Sequence, residues 1–297
     1  MFLTLEEATN LQLKNIFEDK DSWGIYAERK LLKIIFQAGT GSLGIAAPYE
    51  FAPIYAQKIA GIKTKTNTIK FVDIGGGVGH LFPIIRAVLN KNNCDKSIEY
   101  HVLENKNNCL NGRSLFSGLT NKNNNLEFSI YFPDDPLLPA RAHPPIRPTH
   151  QISFQFNPDD KIRFHSDIKT CSMPIDITVS CIAIFYIEDL TNIISYINAA
   201  RPKYIFFSYF LCSFDSSSIT LAQPFEDSYY MKVTAHSIEG LKKKFSQIDY
   251  KIIAKNVIMI EIQVFLSGGS FKKIAPSIAD NIGAVAIMTS VFATLVF

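Results

Sequence analysis

Between Phe71 and His80 the chain reads FVDIGGGVGH, which sets Asp73, Gly75, Gly77 and Gly79 at alternate positions with Gly76 among them. Glycine inside a strand or helix loses more conformational freedom on folding than any other residue, roughly 0.5–1 kcal/mol against alanine. Glycines this dense mark a place where bare backbone is required. The apolar run before them predicts a strand and the run after them a helix. The turn then lies at the carboxyl edge of a parallel sheet, where the unpaired N–H groups of a helix start face a ligand. A nucleotide-like ligand suits that edge. The dinucleotide fingerprint G-x-G-x-x-G would demand glycine at position 80, where His80 stands.

A second acid closes the next strand-like run, IEYHVLENKNN, at Glu104. An ionised carboxylate offers two acceptor oxygens and matches a cis-diol. Dinucleotide enzymes place an acid here too, and a carboxylate at a helix start is also favoured by the helix dipole alone. The spacing of the glycines, not Glu104, separates the cofactor classes.

The pattern D-x-G-x-G-x-G resembles the first motif of the class I S-adenosylmethionine-dependent methyltransferases. The resemblance implies that the backbone of Gly75, Gly76, Gly77 and Gly79 passes under the methionyl and ribose portion of S-adenosylmethionine, with Asp73 close to its amino acid end and Glu104 on the ribose hydroxyls. The stretch PIDITVSCIAIFYIEDLTNIISYI resembles the fourth core strand of that family and its following loop. Asp176 then opens the strand, Cys181 and Ile182 through Tyr186 line the methyl-transfer pocket, and Glu188 and Asp189 start the next helix. FYIEDL and VLENKNNCLNGRSLF are more specifically similar to a methyltransferase family encoded among bacterial surface-polysaccharide genes, over roughly residues 45–265. That likeness implies a hydroxyl of a sugar or glycan precursor as the acceptor. A proline-rich insertion and the C-terminal segment depart from it.

Transfer of a methyl from a sulfonium is an in-line displacement in which holding the partners in line does most of the work. An oxygen nucleophile can use a general base as well. The candidates are His80, Tyr186 and Glu188, with His236 as a fourth; each also has an ordinary structural role as a buried histidine, a packed aromatic or a helix cap. No Asn-Pro-Pro-Tyr segment occurs, which weakens an amino-methylating reading, and no metal-ligand cluster stands at recognised spacing. Two rivals keep the same glycine turn: a non-catalytic methyltransferase-like binding or scaffold protein, and an NAD- or nucleotide-binding Rossmann protein.

Strand-like and helix-like runs alternate from Ile69 onward, which predicts βαβ crossovers. The expected fold class is α/β: a Rossmann-like, doubly wound, mostly parallel seven-stranded sheet with a terminal antiparallel hairpin, plus an N-terminal helical cap. The cap takes residues 1–68, the Rossmann-like domain 69–266 with a proline-rich insertion near 132–160, and an apolar tail 267–297. Proline at that density excludes helix interiors and central strands, so the third core strand is either LEFSIYF (126–132) or KIRFHSDI (161–168). YKIIAKNVIM and EIQVFLS leave no room for a helix between them and predict the hairpin. The run NIGAVAIMTSVFATLVF is uncharged from Ile282 onward, yet as a helix it falls short of a roughly 30 Å hydrocarbon core. Membrane association, packing onto the domain or a partner, and an end foreign to the fold all stay open for it.

The 297 residues suffice for a full core, and a 47% hydrophobic, 19% charged composition is that of a folded protein. A net charge of +3 without a basic stripe argues against nucleic acid. The 5 cysteines form no C-x-x-C pair and indicate neither a disulfide framework nor a zinc knuckle. MFLTLEEATN carries acids where a signal peptide carries positive charge. A cytoplasmic protein acting on a small molecule or glycan is expected, with peripheral membrane contact through the tail as the open alternative.

Overall fold

The computed structural model describes residues 3–16, 27, 30–31, 33–35, 37–38, 51–119, 125–129, 151–171, 174–181, 183–213, 216–225, 228–248, 250–252, 259–266, 270–273 and 284–295. The chain opens with helix α1 (Leu5–Asn10), held by a capping box in which Thr4 and Glu7 satisfy each other's backbone amides. A short strand β1 (Lys14–Asn15) follows, then helical residues at 27, 30–31, 33–35 and 37–38 (α2) and helix α3 (Ala52–Gly61).

The alternating section runs β2 (Thr68–Ile74), α4 (Leu81–Lys91), β3 (Ser97–Leu103), α5 (Lys106–Leu119), a two-stranded ribbon β4 (Asn125–Ser129) and β5 (Gln151–Gln155), and β6 (Lys161–His165). It continues through β7 (Ile177–Cys181), α6 (Thr191–Ala200), β8 (Tyr204–Ser213), β9 (Ile219–Phe225), β10 (Tyr229–Ser237) and α7 (Ile238–Ser246). The last strands are β11 (Tyr250–Ile252), β12 (Met259–Leu266), β13 (Ser270–Lys273) and β14 (Ala284–Leu295).

Five strands, in the order β8-β7-β2-β3-β6, are parallel to their neighbours. Parallel strands need cover on both faces, and the side-chain alternation supplies it. Phe71, Tyr100, Val179 and Phe206 point into one core with α2, α3, α4 and Phe116 of α5. Val72, Ile74, Ile205 and Phe207 point into the other with α6 and α7. The fold is mixed α/β with a mostly parallel sheet, as expected. Of the two candidates for the third core strand, KIRFHSDI supplies β6, paired in register with β3, while 125–129 pairs, among the described residues, with β5 alone.

The antiparallel end differs from the sequence expectation. Among the described residues, YKIIAKNVIM and EIQVFLS do not pair with each other; β11 and β12 each pair antiparallel with β14, and β14 pairs antiparallel with β8. Among the described residues the connected path holds eight strands, where seven are expected, and it ends β14-β12-β13. Part of the run read as a tail is thus a strand interior to the sheet. An uncharged run suits a strand with neighbours on both sides, and length and apolarity alone do not separate that from a helix. Among the described residues no helix is long and apolar enough to cross a membrane.

A second unpredicted feature is the β9–β10 ribbon. It leaves the carboxyl end of β8 beside Cys212 and Ser213; its β10 edge takes up β1 and its β9 edge bridges to Leu3. Its apolar side, Leu221, Met231, Val233 and Ala235, packs with Ile16, Phe185 and Tyr186.

One buried ion pair ties α4 to the start of β6. Arg86 and Asp160 lie 2.5 Å apart and are almost fully buried, and Asp160 also accepts the Ile98 amide at 2.8 Å. Removing one partner of such a pair strands the other charge. Asp160→Ala should cost about 3–5 kcal/mol in urea unfolding; a loss below about 1 kcal/mol, the range of an exposed pair, would show that Arg86 finds water instead. Removing residues 284–297 takes the partner from one edge of β8 and from β11 and β12. The expected outcome is loss of cooperative thermal unfolding in near-ultraviolet circular dichroism, whereas a sharp transition near the full-length value would mean β14 is dispensable.

Candidate ligand site at the carboxyl edge

Strand β2 ends at Ile74, whose carbonyl accepts the buried Ser180 hydroxyl at 2.9 Å. The Gly75 amide then reaches the Leu103 carbonyl at 2.7 Å, so the turn leaves the sheet directly between β3 and β7. Gly75, Gly77 and Gly79 have φ of 69°, 59° and 90°. These are conformations that other L-residues adopt at a cost of roughly 1–2 kcal/mol.

The chain's own packing also demands them. A Cβ on Gly75 would run into that of Ala183, just past β7, and one on Gly79 would press on Phe116 and Ile162 at 3.1 Å. A Cβ on Gly76 would collide with the Asp73 carboxylate. Close approach to a ligand was the need inferred from sequence; close approach of the turn to its own neighbours is a need the structure adds.

Asp73 lies beneath this turn at 1% exposure. Its Oδ2 accepts the Tyr100 hydroxyl at 2.5 Å, while Oδ1 is buried with no hydrogen-bond partner among the described residues. Burial lifts the carboxyl to about 7, with the Tyr100 hydrogen bond opposing and the charge of Glu104 adding to the rise. Glu104 follows β3 and is half-buried, so the two acids flank the turn from one side. Its Oε2 accepts the Asn105 amide and its Oε1 the Asn108 side chain at 3.1 Å, both at the start of α5. Burial raises this carboxyl too, against those hydrogen bonds. Each oxygen of a carboxylate keeps a further lone pair for a hydroxyl.

His80, directly after the turn, is buried and hydrogen-bonded through Nε2 to the Ala27 carbonyl at 2.7 Å. A carbonyl only accepts, so Nε2 carries the proton and Nδ1 is bare. Burial, reinforced by the charge of Lys30, holds the imidazole down at about 4, and it is neutral at pH 7. Cys181 ends β7 and is partly exposed, with its side chain in reach of the Lys30 charge. Ile182 lies outside the described residues. Tyr186 is drawn into the apolar cluster under the β9–β10 ribbon, its hydroxyl 3.4 Å from Met231 Sδ. Glu188 is exposed and pairs with Lys232 at 2.7 Å, and Asp189 rather than Glu188 accepts the Thr191 amide at the start of α6. His236 is buried against the Ile184 carbonyl at 3.2 Å and burial lowers its pKa.

Asp73, the glycines, Glu104, His80 and Cys181 therefore gather along one sheet edge, and Glu188 stands on the surface. Sequence reading missed two members of the constellation. Tyr100 could have been found from the β2–β3 register, which sets it beside Phe71 and within reach of Asp73. Lys30 shares a helical stripe with Ala27 and Ile34 in AERKLLKIIFQA, a lysine on an otherwise apolar face. A recess of about 310 Å³ lined by Thr68, Ser97 and Glu99 sits at the opposite, amino edge of β2 and β3 and contains none of these residues.

The Asp73 carboxyl yields a pH signature. An unfolded chain releases this proton near the ordinary value of 3.8, whereas the folded chain holds it up to about 7. The folded state thus binds the extra proton between those values, and the stability it contributes is present at low pH and lost as pH rises through 7. Asp73→Asn should flatten the fall in urea midpoint between about pH 4 and about pH 7. An undiminished fall in the variant would assign it to other groups.

No protein-family model matches the sequence, and no curated protein matches it. Solved structures with a similar chain path include the magnesium protoporphyrin IX methyltransferase of Synechocystis PCC 6803 with bound S-adenosylhomocysteine, at 7% identity and a TM-score of 0.43 over 93% of this chain and 96% of that one. A methyltransferase dependent on S-adenosylmethionine from Aquifex aeolicus matches at 10% identity and a TM-score of 0.39, over 87% and 98% of the two chains. A glycopeptide N-methyltransferase complexed with S-adenosylmethionine matches at 12% and 0.37, over 82% and 87%. At that level the likeness assigns no residue and no substrate to this chain.

Proposed function

We propose that the chain is a methyltransferase that uses S-adenosylmethionine and methylates a hydroxyl of a sugar or glycan precursor. The observation that carries the cofactor is Asp73 Oδ1: a carboxylate oxygen buried under a glycine turn with no hydrogen-bond partner among the described residues, next to Glu104 at the end of the adjoining strand. A buried polar atom without a partner costs about 1–3 kcal/mol, and a ligand bearing an ammonium and a ribose would satisfy both acids. The residues fit that group. Asp73 would face its amino acid end, Glu104 its ribose hydroxyls, and the bare backbone of 75–79 the span between. When bound, the cofactor supplies an electrophilic methyl on a sulfonium.

The protein's own contribution in this reading is alignment. Glu188 spends its charge on Lys232 and His80 is tied to Ala27, so positioning, worth several kcal/mol when reactants are held in line, carries the rate. The acceptor class rests on the sequence likeness of FYIEDL and VLENKNNCLNGRSLF to the polysaccharide-cluster family.

Calorimetric titration with S-adenosylhomocysteine, with NAD as control ligand, tests the cofactor. The expected result is micromolar binding of the first alone and a weakening of about tenfold or more in Glu104→Ala, the effect of losing hydrogen bonds to a charged group. Binding of NAD in its place would sink the reading. Transfer of labelled methyl from S-adenosylmethionine to a panel of nucleotide sugars and oligosaccharides tests the acceptor; labelling confined to amines or to non-carbohydrate hydroxyls would overturn that half.

A further inference from the structure

Tyr100, Val102 and Phe164 turn into the first core, so His101 and His165 project from the opposite face of β3 and β6. His101 has no exposed surface and His165 is half-buried. Their rings stack with centroids 5.0 Å apart, and His101 Nδ1 lies 2.9 Å from His165 Nε2. On its other side His165 Nδ1 lies 2.8 Å from the hydroxyl of Thr170, in the 3₁₀ turn Ile168–Thr170 that follows β6.

The last link places the hydrogens. Thr170 gives its hydroxyl proton to the Asp167 carbonyl at 2.7 Å, because a carbonyl only accepts. Its oxygen therefore accepts from His165 Nδ1, and in a neutral ring His165 Nε2 is the bare nitrogen that accepts from His101 Nδ1. The chain of donors runs one way, from His101 through His165 and Thr170 to Asp167. A proton taken from solvent onto His165 Nε2 removes the acceptor and sets two N–H groups against each other across 2.9 Å.

The surrounding charges weigh mostly against that proton. Glu99 of β3 stands 3.6 Å from His101 Nε2 and favours a charged ring, but it is shared with Lys70 of β2 at 4.0 Å and Arg163 of β6 at 3.2 Å. Lys70, Arg163 and His165 oppose a charge on His101, and Arg163 and Arg113 of α5 oppose one on His165. In the turn, the Asp167 carboxylate is engaged by the Lys169 amide, and the Cys171 thiol is held up at about 11 by burial and stays neutral. Burial is the largest influence on both histidines and lowers both, His101 to about 4. An opened chain takes these protons near the ordinary value of 6.5, so the stability the pair contributes is full above that value and lost as pH falls below it.

Backbone of the candidate site hangs from the same residue. The His165 carbonyl accepts the Glu104 amide at 3.0 Å, and among the described residues β6 pairs with β3 alone. We propose that the His101–His165 contact is an acid-released latch, whose protonation frees the carboxyl end of β6 and with it the backbone of Glu104. The latch is a property of the fold and holds whatever ligand the edge binds.

The test follows the unmodified protein by NMR from pH 7 to pH 5, reading the histidine ring resonances and the exchange of backbone amides with solvent. The two rings should titrate as a coupled pair below 6.5. After correction for intrinsic exchange, protection of the Glu104 amide should fall about tenfold or more relative to the amides of residues 205–207 in β8, as one unit of pKa shift allows. His165→Gln offers His101 an acceptor that takes no proton in this range, and should hold that relative protection constant to within about twofold. An unchanged ratio in the unmodified protein would overturn the latch, as would two rings titrating independently at the ordinary value. An equal fall in His165→Gln would assign the loosening to the carboxyl of Glu104 itself and overturn it too. Should that variant not fold, the ring titration and exchange ratio of the unmodified protein decide between the same outcomes.

Discussion

The turn from β2 into α4 works only because backbone can approach backbone and side chain there without a Cβ between. Gly75 meets Ala183 beyond β7, Gly76 roofs the carboxyl of Asp73, and Gly79 meets Phe116 of α5 and Ile162 of β6. Through these contacts the turn touches the elements on both of its flanks. With positive φ at alternate positions, the chain reverses within a few residues and delivers His80 and then α4 onto the first core. A side chain at any of these points would push the turn off the sheet edge and open the roof over Asp73. The spacing is thus a packing constraint first, and the ligand surface is what that constraint leaves behind.

The electrostatics of the edge follow from the same closeness. Asp73 is shut away from water by the turn, and its carboxyl rises to about 7 in spite of the Tyr100 hydroxyl. His80, held to Ala27, is pushed to about 4. Burial disfavours whichever form is charged, so it raises the acid and lowers the base. An edge in which burial works against the charge of both groups is one in which an incoming charged ligand changes the balance most. Perturbed groups gathered in one place are a mark of functional sites as well as of structural ones. Here the buried Arg86–Asp160 pair, far along α4 from the turn, shows the structural kind: its hydrogen bonds are to backbone amides and carbonyls and fasten β6 to β3.

The antiparallel end shows how an element can be invisible until its neighbours are known. The run from Ile282 carries no charge, and in isolation it is equally a membrane-seeking helix or a buried strand. What makes 284–295 a strand is that β8 offers an unpaired edge on one side and β11 and β12 on the other. Those pairings link residues separated by dozens of positions. The β9–β10 ribbon is similar: its place is set by β8 and β1, which both pair with β10, and by Leu3, which bridges to β9.

What the sequence determined by itself is local or periodic. The D-x-G-x-G-x-G pattern announced a strand, a tight turn and a helix, because glycine spacing speaks directly to φ, and the alternation of apolar runs announced a covered parallel sheet. Glu104 was legible because it follows a strand. Tertiary structure alone decided which of 126–132 and 161–168 joins β3, where β14 inserts, that Glu188 faces Lys232 instead of the edge, and that Lys30 arrives beside Cys181. The reason is common to all four. Strand register and the meeting of side chains across layers are settled by non-local hydrogen bonds and packing, and a single chain read in order contains no measure of which distant edges remain to be filled.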